Sequence, residues 1–138
     1  MANSGLIWAD GGNVVIAGAV SGGGSAVITG AARLEFMTAS DAATRFTAGA
    51  SGTLALDQSA GFEGTISGFA SGDAIDLADL GFGAGSVLSY TENSGGTGGT
   101  LAVTDGTHNA SLAFAGQYAQ GDFAMTGDGN GATLIKHA

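Results

Sequence analysis

The densest group of residues that could do chemistry is three aspartates, Asp73, Asp76 and Asp79, in the run GDAIDLAD. Calcium takes about six to eight oxygen ligands, and three carboxylates this close together could supply part of that shell. The alternative is that Asp73 caps a turn while the other two are solvated at the surface. In an extended strand Asp76 points away from the apolar side, whereas Asp79 points inward unless the chain turns at Ala78. The three residues are the candidate calcium site.

Two further motifs resemble metal or catalytic sites but lack essential parts. The run GDGNG contains Asp128 and Asn130, yet it has neither the other aspartate nor the distal glutamate of an EF-hand loop, so we interpret it as a hairpin turn. His108 and His137 are the only histidines, and neither has a Ser-His-Asp context. His108 is predicted to lie in a turn beside Asp105, and His137 in a frayed terminus.

Glycoside hydrolysis is the one enzymatic alternative, because it needs only two carboxylates held across a cleft. The glutamates Glu35, Glu63 and Glu92 are scattered along the chain. No aromatic subsite surrounds any of them, so we predict no catalytic residues and no enzymatic activity.

Three aromatic residues could stack on sugar rings, but they are far apart in the sequence. Trp8 is predicted to cover one end of the core, and Tyr118 to anchor the C-terminal strands. Tyr90 lies between them in the chain. Their separation does not indicate a sugar-binding platform.

The composition excludes several classes of function. The chain has 138 residues, 27 of them glycine, with no proline or cysteine and a net charge of −9. Three basic residues are too few to neutralise phosphates, so we expect neither nucleic acid nor an anionic membrane as a partner. Without cysteine there are no disulfides or thiolate zinc sites. No apolar run is long enough to predict membrane insertion.

The first half of the chain contains short apolar or alternating segments separated by glycine-rich turns, which is typical of strands. The segments are 13–20, 25–29, 32–36, 44–48, 53–57, 62–68 and 74–77. Phe46, Leu54, Leu56, Phe62 and Ile66 are predicted to point inward. Stacking such strands as turns of a parallel β-solenoid would bury these side chains in one column. A β-sandwich built from the same strands is the alternative.

The second half has longer segments that alternate more cleanly. These are 86–91, 100–104, 109–115, 122–126 and 132–136, and their connections are hairpin-like, including the Asp105-Gly106 turn. We predict an all-β chain: a short parallel β-solenoid over 1–81, followed by an antiparallel β-meander cap over 82–138, together forming one continuous unit. A solenoid needs such a cap because its end exposes apolar core and unpaired backbone.

The run FTAGASGTLALDQSAGFEGTISGFASGDAIDLADLGF (46–82) resembles repeats near the ends of very large exported proteins of Gram-negative bacteria. The tail TLAVTDGTHNASLAFAGQYAQGDFAMTGDGNGATLI (100–135) is similar to the ends of the same proteins. This family is related to the RTX substrates of type I secretion, which leave the cell through an uncleaved C-terminal signal and often fold on calcium. The tandem RTX nonapeptide is absent, so its calcium β-roll is not carried over whole.

The resemblance implies an extracellular or cell-surface location, reached without the Sec-type N-terminal signal, which the sequence also lacks. The expected function is that of a non-catalytic secreted structural module, with a possible C-terminal export signal, that caps a surface β-solenoid. Its expected partners are the rest of a larger parent chain or other copies of itself, joined edge to edge or end to end. The alternatives are a calcium-dependent adhesin module that binds a glycan or partner, and a fragment of a carbohydrate-active enzyme.

Overall fold

The computed structural model describes residues 5–49, 51–129 and 131–137, which fold into two packed β-sheets. Short 3-10 turns at Ser59–Gly61 and Gln120–Asp122 are the only helical segments of this described part. The predicted all-β class is confirmed. The strands are β1 (Leu6–Asp10), β2 (Asn13–Ile16), β3 (Ser25–Thr29), β4 (Arg33–Phe36), β5 (Ala43–Phe46), β6 (Thr53–Leu56), β7 (Thr65–Ser67), β8 (Ala74–Gly81), β9 (Val87–Glu92), β10 (Gly98–Thr104), β11 (Asn109–Ala115), β12 (Phe123–Gly127) and β13 (Ala132–His137).

The first eight strands form a parallel β-solenoid of four turns, which confirms the predicted architecture. Strands β1, β3, β5 and β7 stack in sheet 1, and β2, β4, β6 and β8 stack in sheet 2. Asn13 pairs with Arg33, Arg33 with Thr53, and Thr53 with Ala74, so one turn takes about 20 residues. Each inner turn therefore bonds its backbone to the turns on both sides.

A third, very short ladder runs along one corner between the sheets. Val20 forms a parallel bridge with Ser40, and Ser40 forms another with Phe62. The turns are tightly stacked beside it, because a Cβ on Gly64 would lie 1.9 Å from the carbonyl oxygen of Ala42 in the preceding turn. Glycine at this position is required by the close approach of two backbones.

The core consists of columns of inward side chains, one from each turn. Leu34, Leu54 and Ile75 occupy matching positions on adjacent strands of sheet 2, and all three are fully buried. Phe46 and Ile66 fill the opposite wall in sheet 1. Complete burial of each such side chain contributes about 1.5–3 kcal/mol to folding, so the columns account for much of the stability.

Strands β9 to β13 form the cap, and they are divided between the two sheets rather than joined in one meander. Strands β11, β10 and β9 extend sheet 1 beyond β7, whereas β13 and β12 extend sheet 2 beyond β8. Strand β11 runs parallel to β7, with Phe114 opposite Ile66. The other cap contacts are antiparallel, including Ile135 opposite Ile75 between β13 and β8.

Two local features differ from the sequence-based expectations. The predicted strands do not include β1, which has alternating exposure and pairs with β3 along all five of its residues. Strand β8 continues to Gly81 rather than ending at Leu77, and its inward position changes between Leu77 and Leu80. This irregularity turns the carboxylate of Asp79 away from the core, toward a corner of the solenoid.

Candidate functional site

Two of the three candidate calcium ligands, Asp73 and Asp79, accept hydrogen bonds from separate protein donors. Asp73 is buried and accepts from the backbone N–H groups of Gly52, at 3.2 Å, and Ala70, at 2.9 Å. Burial raises the pKa of Asp73, although these two N–H groups act in the opposite direction. Asp79 accepts from the N–H and hydroxyl of Ser59, at 3.0 and 2.8 Å. Each carboxylate thus fastens one turn of the solenoid to the next.

The third candidate, Asp76, lies on the outer face of sheet 2 and is only 9% exposed. Its Oδ2 is 3.5 Å from Nη1 of Arg33, while its buried Oδ1 has no hydrogen-bond partner among the described residues. Burial raises the pKa of Asp76, and the nearby carboxylate of Asp128 raises it further. The described part of the chain contains no group of three or more acidic, histidine or cysteine side chains placed to hold a metal ion. The calcium site stays a prediction.

A second pair of carboxylates, Glu35 and Asp57, lies beside this group. The hydrogen bond with Asp57 raises the pKa of Glu35, and burial raises it further. Arg33 is also 3.6 Å from Glu35, so its guanidinium lies beside two acidic pairs, Glu35 with Asp57 and Asp76 with Asp128. Glu63 precedes β7 and Glu92 ends β9, so the three glutamates do not come together.

The histidines have different surroundings. His108 is exposed at the predicted Asp105-Gly106 turn, where its Nδ1 lies 3.0 Å from Oδ2 of Asp105. The backbone N–H and the ring of His108 lower the pKa of Asp105, and this carboxylate raises the pKa of His108. His137 belongs to β13, and its ring centroid is 6.0 Å from that of Phe69, so the expected frayed terminus is wrong here.

The described residues of the GDGNG run form part of the hairpin between β12 and β13, as predicted. Oδ1 of Asp128 accepts the N–H of Ala132 at 3.0 Å, and the backbone N–H of Asp128 donates to the carbonyl of Ala132 at 2.9 Å. Asn130 lies outside the described residues. These two hydrogen bonds are those of a turn, and the Asp128 carboxylate also lies near Asp76.

The aromatic residues are divided between the core and the surface. Tyr118 anchors the cap as predicted, because its hydroxyl donates to the carbonyl of Phe69 at 2.6 Å and its ring packs against Phe123. Tyr90 is buried in the same aromatic cluster. Trp8 does not cover the end of the core: its side chain lies on the outer face of sheet 1 and is 57% exposed.

The solenoid end formed by β1 and β2, here called the open end, has a partly exposed core. The inward residues Ile7, Val14 and Ile16 are only partly buried, whereas their neighbours one turn further, including Leu34 and Phe36, are buried completely. At the opposite end the aromatic cluster fills the space between the sheets. The two ends of the stack therefore differ in how far their core is sealed.

Among the described residues, the open end also presents unpaired backbone. The carbonyl of Gly5 and the N–H of Gly11 bond to the next turn, so the peptide groups of Leu6, Trp8 and Asp10 point to the outer edge of β1. Lysine and proline, which commonly protect edge strands, are absent from both β1 and β2. An unprotected edge of this kind can accept another strand.

Comparison with known protein families, curated proteins and solved structures finds no match for this chain. The described residues include no helix with the length and apolarity of a membrane span.

The alternating run LIWAD is the sequence signal for β1, and an edge strand there indicates the open end.

Proposed function

We propose that this chain is a non-catalytic structural module that terminates an exported β-solenoid. Its cap closes one end, and its open end adds to a further solenoid turn, supplied by a longer parent chain or by a second copy. The observation that carries the proposal is the difference between the sealed aromatic core at the cap and the partly exposed first turn.

The residues of the open end support pairing with another β-strand. Leu6 and Val15 are 58% and 55% exposed on the two edge strands. The inward Ile7, Val14 and Ile16 would lose their remaining exposure under an added turn. Burial of apolar area contributes about 25 cal/mol per Å², and the added turn would also bond to the outward peptide groups of β1 and β2, which pair with no other described strand.

A tandem duplication of residues 6–24 tests whether this end accepts another turn, because Leu6 pairs with Ser25 and the inserted segment is one turn long. We expect the duplicated protein to unfold at a higher temperature, with slow amide exchange at the original Leu6, Trp8 and Val15. Unchanged stability with fast exchange at these amides would refute the proposal.

Self-association is tested by light scattering over a range of protein concentrations. We expect the mass to rise with concentration, and Val15→Lys to abolish the rise by placing a charge on the open edge. Val87→Lys is the matched control, because Val87 is 57% exposed on β9 at the other end. A mass that stays monomeric would refute the second copy as partner and leave the parent chain, which the duplication tests.

Export is the second part of the proposal, and it is supported by the resemblance of residues 46–135 to the ends of type I secretion substrates. A chain without cysteine needs no oxidation to fold after export. Fusion of this module to the C-terminus of a passenger protein, in cells with a type I exporter, should release the passenger into the medium. Retention of the passenger, with secretion of a known substrate in the same cells, would contradict this part.

A further inference from the structure

The outer face of sheet 1 is chemically different from the rest of the molecule. Its outward positions carry many serine and threonine hydroxyls, and Asp10 and Arg45 are its only charged residues among the described strands. The outer face of sheet 2 carries the acidic pairs around Arg33 instead. The hydroxyl-bearing residues are Ser25, Thr29, Thr47, Thr65, Ser67, Ser89, Thr91, Thr100, Thr104 and Ser111.

An exposed aromatic ring lies at one end of this face. Trp8 is 57% exposed, and its indole N–H donates to the hydroxyl of Thr29 at 3.0 Å, which fixes the orientation of the ring. The ring borders a shallow depression of about 220 Å³. This depression is lined by Leu6, Trp8, Val27, Thr29, Arg45 and Thr47.

An unpaired cation lies at the other side of the same depression. Arg45 is exposed, and no carboxylate contacts it among the described residues, whereas Arg33 contacts two. Trp8 pairs with Val27, and Val27 pairs with Arg45. The indole and the guanidinium therefore start two strand spacings apart, about 10 Å, which is close to the length of two linked sugar rings.

We propose that the outer face of sheet 1 binds a saccharide that carries an isolated carboxylate, with Trp8 against a sugar ring and Arg45 paired with the acid. The C–H faces of sugars pack on aromatic rings, and threonine hydroxyls exchange hydrogen bonds with sugar hydroxyls. A guanidinium binds a carboxylate through two parallel hydrogen bonds. The net charge of −9 repels densely charged polyanions, which favours a saccharide whose acid groups are well separated.

This inference does not depend on the pairing of the open end. An added turn would bond to the edge of β1, in the plane of sheet 1, and would leave its outer face exposed. The saccharide site can therefore exist in the isolated chain and in a longer solenoid. Failure of one proposal leaves the other standing.

The test is a titration of the whole chain with a tetrasaccharide of alternating glucuronate and N-acetylglucosamine, compared with its carboxyl-reduced form. Trp8 is the only tryptophan, so its fluorescence reports directly on the site. We expect the acidic sugar to bind at least tenfold more tightly than the reduced sugar, since charged hydrogen bonds are stronger than neutral ones. No change in Trp8 fluorescence at roughly 10 mM acidic sugar, a concentration at which even a weak complex would form, would overturn the proposal.

Variants assign the two contacts, with binding measured by calorimetry. Trp8→Ala should weaken both sugars at least tenfold, whereas Phe82→Ala, which removes an exposed ring elsewhere, should not. Arg45→Gln should abolish the preference for the acidic sugar, and Lys136→Gln on sheet 2 should preserve it. If Arg45→Gln keeps the preference, or Trp8→Ala keeps the affinity, the assignment is wrong.

Discussion

Gly64→Ala should strongly destabilise the solenoid, because two backbones meet at this position. A Cβ at Gly64 would lie 1.9 Å from the carbonyl oxygen of Ala42, well below the 3.0 Å that real Cβ contacts keep. The two turns would have to separate by about 1 Å. That shift would break the adjacent hydrogen bond from the N–H of Glu63 to the carbonyl of Ser40, now 2.8 Å long.

The expected cost is about 3 kcal/mol, from overpacking together with the loss of one or two backbone hydrogen bonds. For a domain of this size that corresponds to a melting temperature lower by roughly 10–15 °C. Thermal unfolding followed by circular dichroism measures the change. A variant too unstable to fold would agree with the same reasoning.

Gly12→Ala is the matched control. Gly12 also lies outside the left-handed region, and a Cβ there would meet no atom within 4 Å. We expect its melting temperature to stay within roughly 2 °C of the unchanged chain or to rise slightly, since alanine restricts the unfolded state. If Gly64→Ala melted as high as Gly12→Ala, the close stacking of turns at this corner would be refuted.

Four other changes probe the cap, the acidic groups and calcium. Phe123→Ala should lower the unfolding free energy by about 3–5 kcal/mol in urea denaturation, because the ring lies within the aromatic cluster that seals the cap. Burial and the nearby Asp128 raise the pKa of Asp76, so the stabilising contribution of its protonated form is lost as the pH rises through the folded-state pKa. Asp76→Asn should therefore reduce the fall in melting temperature as the pH rises through that pKa. Hydrogen bonds from His108 lower the pKa of Asp105, so the ionised carboxylate stabilises the fold above the ordinary aspartate pKa, and this contribution is lost on acidification. Asp105→Asn should therefore reduce the melting temperature at neutral pH more than at acidic pH. Calcium and a chelator should give the same melting temperature, because Asp73 and Asp79 already bind protein donors; a rise of more than roughly 5 °C with calcium would support the predicted site instead.

The solenoid could be predicted because its strands are local and its inward residues follow a simple alternation. Leu54, Leu56 and Ile66 were assigned to the core from that pattern alone, and all are buried. The division of the cap between two sheets could not be predicted. It depends on which existing strand each new strand joins, and pairings such as Phe114 with Ile66 leave no local signal.

The contacts of the acidic residues could not be predicted from the sequence either. Asp76 and Arg33 are brought together by the stacking of turns, two strands apart in sheet 2. The spacing of the three aspartates carries no signal for the irregularity of β8 that brings Asp79 to Ser59. Trp8 lies on an outer face because β1 is a strand, and the sequence-based prediction begins its first strand only at residue 13.

The register of the cap has a consequence for the order in which the molecule folds. Neighbouring turns join residues about 20 apart in the chain, whereas β11 joins β7 across about 50 residues and β13 joins β8 across about 60. Closing these longer loops costs about 1 kcal/mol more in chain entropy. The turns should therefore assemble before the cap docks, and the cap should be the late, slow step.

Until that step is complete, the last solenoid turn exposes its inward side chains and the edges of β7 and β8, which β11 and β13 cover in the folded molecule. The folding chain is then most exposed to pairing with its neighbours, through the edges of β7 and β8 as well as β1 and β2. Loss of β13 would leave the edge of β8 bare, because β12 reaches sheet 2 only through β13. The last strand of the chain thus protects the protein from aggregation during folding.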